Sequence, residues 1–109
     1  MTDEQIVVDF RLTAAVAQQR IRVAAQNTGN IIWSDHVLER MESRNIFRQD
    51  ILRVLRSGDV DEDPIKARLD EWKCKITLKI RGARTAGVIT IILPDGKLFL
   101  KTVEWEDGK

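Results

Sequence analysis

The sequence is short of several things at once. In 109 residues it has one cysteine, one histidine, two prolines and no tyrosine. A lone Cys74 excludes an internal disulfide, so the reducing cytoplasm is the expected compartment. With one Cys and one His, a zinc site built from these ligands is excluded too, and no cofactor is expected. Long apolar runs are missing. The longest, residues 87–93, is broken by Thr90 and stopped by Pro94, far short of the ~20 residues of a membrane-spanning helix. The opening Met1-Thr2-Asp3-Glu4 is acidic where a targeting segment would be basic, so neither a membrane span nor a leader is expected. There is no glycine-rich phosphate loop and no G-x-S-x-G elbow. Asp59-x-Asp61-x-Asp63 imitates a calcium loop, but Pro64 stands where the sharp turn needs glycine. An excess of one charge is also lacking: 18 basic against 17 acidic residues leave a net +1. That excludes a uniformly basic arm or an acidic tail and leaves only local patches.

What is present is ordinary for a soluble globular chain, 43% apolar and 32% charged, of a length that makes one domain. The charge is arranged in blocks: −3 over residues 1–10, +4 over 11–58, −4 over 59–71, +6 over 72–101 and −2 thereafter. Two basic segments therefore flank an acidic one.

The first 28 residues read as a helix. Thr2 to Gln5 form a capping box, and Ile6, Phe10, Ala14, Ala17, Ile21 and Ala24 recur as a heptad-like seam. The β-branched cluster from Ile6 to Leu12 leaves a strand as the competing reading. Ser34 is a suitable N-cap for a second helix reaching about Arg44, with Trp33 and Leu38 placed for a hydrophobic staple. A third helix is expected over about 49–57, with Gly58 as its left-handed stop. After Gly58 the period changes to two. The acidic stretch 59–71 reads as a loop with a short edge strand near Val60. Cys74, Ile76, Leu78 and Ile80 alternate with basic residues as a half-buried strand. Residues 88–93 are apolar on both faces, which suits a central strand. Pro94-Asp95-Gly96-Lys97 is a hairpin turn into a last strand, Leu98 to Trp105. The expected fold is α+β: an N-terminal helix and a helical hairpin packed on a twisted antiparallel sheet of three to four strands. Residues 1–30 are read as an extension and 31–107 as the domain proper.

Two constellations could carry chemistry. His36, Arg40 and Arg44, spaced four apart, share one helix face. Forked guanidiniums beside an imidazole make a reasonable phosphate-binding unit with an acid or base in reach. The alternative is that these arginines pair with carboxylates and His36 merely packs. The second constellation is basic: Lys73, Lys75, Lys79 and Arg81 are expected on one strand face, with Arg84 in the turn and Trp72 at the edge. This suits a nucleic-acid backbone, or a solvated outer face whose lysines discourage edge pairing. Glu104 and Asp70 stand ready to neutralise part of it.

The run His36-Val37-Leu38-Glu39-Arg40-Met41-Glu42-Ser43-Arg44-Asn45-Ile46, followed by Asp50-Ile51 and Val54-Leu55, resembles a small bacterial family, domain of unknown function 4258. Its members read H-A-x-x-R-M-x-x-R-x-I, then D-[IV]-x-x-[VA]-[IL]. The likeness covers about residues 31–106, leaving the N-terminal helix outside. The family is grouped by fold with RelE-like and barnase-like ribonuclease toxins, so the resemblance implies a toxin-like RNA-binding protein, with metal-independent endoribonuclease activity as its sharpest form. His36 and Arg40 would then be catalytic, and Arg44, Lys73, Lys75, Lys79, Arg81 and Arg84 would contact nucleic acid. The competing expectation, from a different class, is a non-catalytic interaction module whose residues 6–24 bind an antitoxin-like protein or form a homodimer.

Overall fold

A computed structural model describes residues 11–108. The capping box at Thr2–Gln5 and the seam positions Ile6 and Phe10 lie outside them. Three helices are described: α1 (Ala14–Ala24), α2 (Asp35–Arg44) and α3 (Arg48–Ser57). Six strands complete the fold: β1 (Ile31–Trp33), β2 (Asp59–Val60), β3 (Ile65–Arg68), β4 (Glu71–Arg81), β5 (Arg84–Ile92) and β6 (Leu98–Trp105).

The α+β class is as expected, but the sheet is larger and is mixed rather than antiparallel. Its order is β1-β6-β5-β4-β2, with β3 also paired to β4. Ile31–Trp33 lies parallel to Leu98–Leu100, a pairing between segments so distant in sequence that local pattern cannot signal it. The short edge strand expected near Val60 is β2, while the rest of the acidic stretch, expected as a loop, also contains β3. Its end is a tight turn in which Asp70 adopts φ +61°, a left-handed conformation that Asp tolerates better than most residues. The apolar-on-both-faces strand β5 is central, as its composition requires.

All three helices share one core with the sheet. Ile51, Val54 and Leu55 of α3 are buried together with Ile76, Val88, Leu98 and Leu100 of the strands. The described part of the α1 seam turns into this same core: Ala17 and Ile21 are fully buried and Ala24 nearly so. Each helix C-terminus is capped by an arginine of the other. Arg22 donates to the Gly58 carbonyl at 2.6 and 3.2 Å, and Arg56 Nε donates to the Ala25 carbonyl at 2.8 Å. Cations there satisfy orphan carbonyls and oppose the negative end of the dipole. The Ala14 amide donates to Asp63 at 2.8 Å and the Val60 amide to Gln18 at 2.9 Å, so α1 is also tied to the acidic segment.

Gly58 ends α3 as expected, for a different reason. Its φ is −79°, which any residue adopts. A side chain is excluded by close approach, since a Cβ would sit 2.5 Å from the Val54 carbonyl oxygen and 2.6 Å from that of Thr77. No described helix is long and apolar enough to cross a membrane.

Candidate nucleic-acid interface

Ser34 starts α2 and fixes its position. Its Oγ accepts from the Val37 amide at 3.0 Å and donates to the Leu100 carbonyl at 2.7 Å. The helix ends where Asn45 turns left-handed, at φ +56°. Val37 is buried and Met41 half-buried in the contact with β6, which leaves His36 and Arg40 on an exposed flank. There Arg40 Nε donates to His36 Nε2 at 3.3 Å. An acceptor nitrogen carries no proton, so this contact uses the neutral ring with its hydrogen on Nδ1. Arg40 keeps its terminal nitrogens for another acceptor. Arg44 follows one turn on; it lines a cavity of about 270 Å³ with Glu104 and Glu106, and its carbonyl accepts from Trp105 Nε1 at 2.8 Å.

The basic strand divides. Lys73, Lys75 and Lys79 point away from the helices, as expected. Arg81 does not join them. An extra residue in β4, between the Lys79–Thr85 and Arg81–Arg84 pairs, is a bulge that turns Arg81 to the helix side. There it forms an ion pair with Asp50 and donates to the Asn45 carbonyl at 2.8 Å. Its guanidinium lies 4.8 Å from the Phe47 ring centroid and 5.6 Å from that of Trp105. Arg84 stacks on Trp105 at 4.0 Å and pairs with Asp107 at 3.0 Å. Arg81 is thus anchored at the C-terminal end of α2, about 13 Å along the helix axis from His36 at 1.5 Å per residue.

On the open face Lys75 bonds Glu106 at 2.8 Å and Glu104 at 3.4 Å. The hydrogen bond to Glu106 is the main reason its ammonium is held above the ordinary lysine range. Glu104 was legible as a neutralising group and Glu106 was not; Asp50, legible as a partner for the α2 arginines, pairs with Arg81 instead. Asp50 also accepts from the Phe47 amide at 2.9 Å, closing the first turn of α3. Burial holds the Cys74 thiol up at about 11, consistent with an inert core residue. Among the described residues no group of three or more His, Cys, Asp or Glu is placed to hold a metal ion.

The cations therefore fall into two sets. Lys75, Arg81 and Arg84 are closed by carboxylates. Arg40, Lys73 and Lys79 make no ion pair among the described residues. The family model for a domain of unknown function, DUF4258, matches residues 33–105. The chain belongs to this family. The DUF4258 match takes in α2, α3 and the five strands β2 to β6, while α1 precedes it. Neither a curated protein nor a solved structure gives a significant match.

Proposed function

We propose that this DUF4258 domain binds RNA through backbone phosphates along the exposed flank of α2. Arg40 is the principal clamp, Arg44 a flanking contact and His36 the proton acceptor or donor. The observation that carries this reading is the state of the Arg40 guanidinium: its only hydrogen-bond partner among the described residues is the His36 ring, whereas Arg81 and Arg84 are closed by Asp50 and Asp107. A guanidinium left open beside an imidazole suits a phosphate, which accepts two parallel N–H bonds from it. The preference for RNA rests on the grouping of this family, by fold, with ribonuclease toxins. The activity this pair would support is cleavage by the 2′-hydroxyl. With Arg40 turned from His36 onto the phosphate, the freed His36 Nε2 takes the hydroxyl proton and the oxygen attacks the adjacent phosphorus. The bond to the 5′-oxygen breaks, that oxygen leaves with a proton from water, and a 2′,3′-cyclic phosphate remains. Arg40 stabilises the charge that builds up. The β4 lysines are not needed. They lie on the other sheet face, two strand spacings or about 10 Å from β6.

The test is incubation of the full chain with mixed-sequence single-stranded RNA in chelator, read on denaturing and native gels beside Arg40→Ala. Discrete fragments with the parent and none with the variant would support cleavage at α2. A mobility shift without fragments, lost in Arg40→Ala, would support binding alone. Intact, unshifted RNA at low salt in both lanes would reject the proposal.

A further inference from the structure

The described helices all pack on one face of the sheet, and no described helix lies on the other. Strand register aligns Ile32, Phe99, Ile91, Lys73 and Ile65 in a single row across β1, β6, β5, β4 and β3. Ile32 is 39% and Ile65 60% exposed, and Ile91 and Phe99 are half-buried with no described helix above them. Ile89, in the neighbouring row, is also half-buried. A solvated face of a sheet carries polar residues at such positions.

In the polar half of this face an ion pair lies close to the sheet. Lys75 reaches Glu104 and Glu106 by crossing Gly87. A Cβ there would lie 2.6 Å from Glu106 Oε2 and 3.0 Å from the Lys75 stem. With no side chain at 87, the ion pair lies down on the sheet instead of standing off it.

We propose that this face packs against the same face of a second copy, about a two-fold axis running along β5. Such a rotation lays the β4 side of one copy on the β6 side of the other, so each contact occurs twice. The rows then meet in complementary pairs. Ile65 faces Ile32 of the second copy, Ile91 faces its own equivalent, and the Lys73 ammonium faces the Phe99 ring. In the last row Lys79 pairs with Thr85, and the Glu106 amide donates to the Thr85 carbonyl at 2.8 Å. Lys79 and Glu106 therefore flank β5 at the same height, and the two-fold brings each onto the other's counterpart. Lys79, which has no ion-pair partner within the described chain, gains one. Sheets packed this way stay within about 30° of parallel, which keeps these rows together near the axis. An RNA backbone offers nothing to the isoleucines, and a chain of unrelated sequence would not repeat this alternation of apolar, basic and acidic groups. A groove of about 570 Å³ opens within this face, between the Asp61–Asp63 loop and Lys73, Lys75, Ile89 and Glu106.

Light scattering and sedimentation equilibrium on the full chain test this. The expected species is twice the 12.5 kDa chain. Ile91→Glu should give a monomer with an unchanged far-ultraviolet circular dichroism spectrum. Lys79→Glu, a surface change, should weaken the dimer roughly tenfold or more, and adding Glu106→Lys should restore it. A parent that is monomeric at about 100 µM overturns the proposal. So does a dimer indifferent to Ile91→Glu, or a double variant no tighter than Lys79→Glu alone.

Discussion

The two faces of β4 and β5 are built from the same residue types to different ends. Toward the helices, Ile76, Ala86 and Val88 are fully buried in a dry layer closed at one end by Trp105 and its two stacked arginines. Away from them, Ile89 and Ile91 stand half-exposed among lysines and glutamates. An isoleucine on β5 is thus no guide to burial; the element on the other side decides. The same holds for charge. Arg81 belongs to the covered side through a bulge, while Lys79, two residues earlier, belongs to the open one.

The sharpest way to break this contrast is to truncate one isoleucine on each face. Ile76→Ala should cost about 3 kcal/mol in urea unfolding, because the cavity left in a close-packed layer does not collapse. Ile91→Ala should cost under about 1 kcal/mol in dilute, monomeric protein. Equal costs would mean that the open face is as dry as the covered one.

A smaller effect comes from Cys74, whose thiol burial raises from 9.0 to about 11. Below pH 9 both native and unfolded chains hold the proton, and the group contributes no pH dependence. Between pH 9 and 11 the unfolded chain releases it and the native chain does not, so stability falls as pH rises. The loss from this group is on the order of 2 kcal/mol. Denaturation at stepped pH should show that slope in the parent and a shallower one in Cys74→Ala, the remainder including Lys75.

The third comparison sets the closed cations against the open ones. Arg81→Ala strips Asp50, which is 13% exposed, of its charged partner, and should cost about 2 kcal/mol. Arg40→Ala removes no carboxylate contact and should change stability by less than about 0.5 kcal/mol. Chemical denaturation of both variants decides whether the ion-pair map separates structural from available arginines.

Much of the fold was written in local signals. Ser34 and Asn45 bound α2 where capping chemistry places them, and β6 runs over Leu98–Trp105 as its alternation requires. The signals failed where the deciding partner is distant. Ile31–Trp33 reads as a short extended entry to α2, and it is extended, but nothing local names β6 as its parallel partner. β3 was hidden by acidic neighbours and a proline. At the candidate site, spacing put His36 and Arg40 together correctly, since one helical turn is a local fact. It misplaced Arg81 because alternation cannot foresee one additional residue in a strand. The pairing of Lys75 with Glu106, across a glycine and from another strand, left no local trace.

Ser34 has a mechanical consequence. One hydroxyl closes the first turn of α2 and at the same time holds β6 at Leu100. Sliding the helix along β6 by a single residue, about 1.5 Å, would break one of these bonds. The flank that carries His36 and Arg40 is therefore indexed to the sheet like a tooth in a rack: it can rotate its side chains, but it cannot creep.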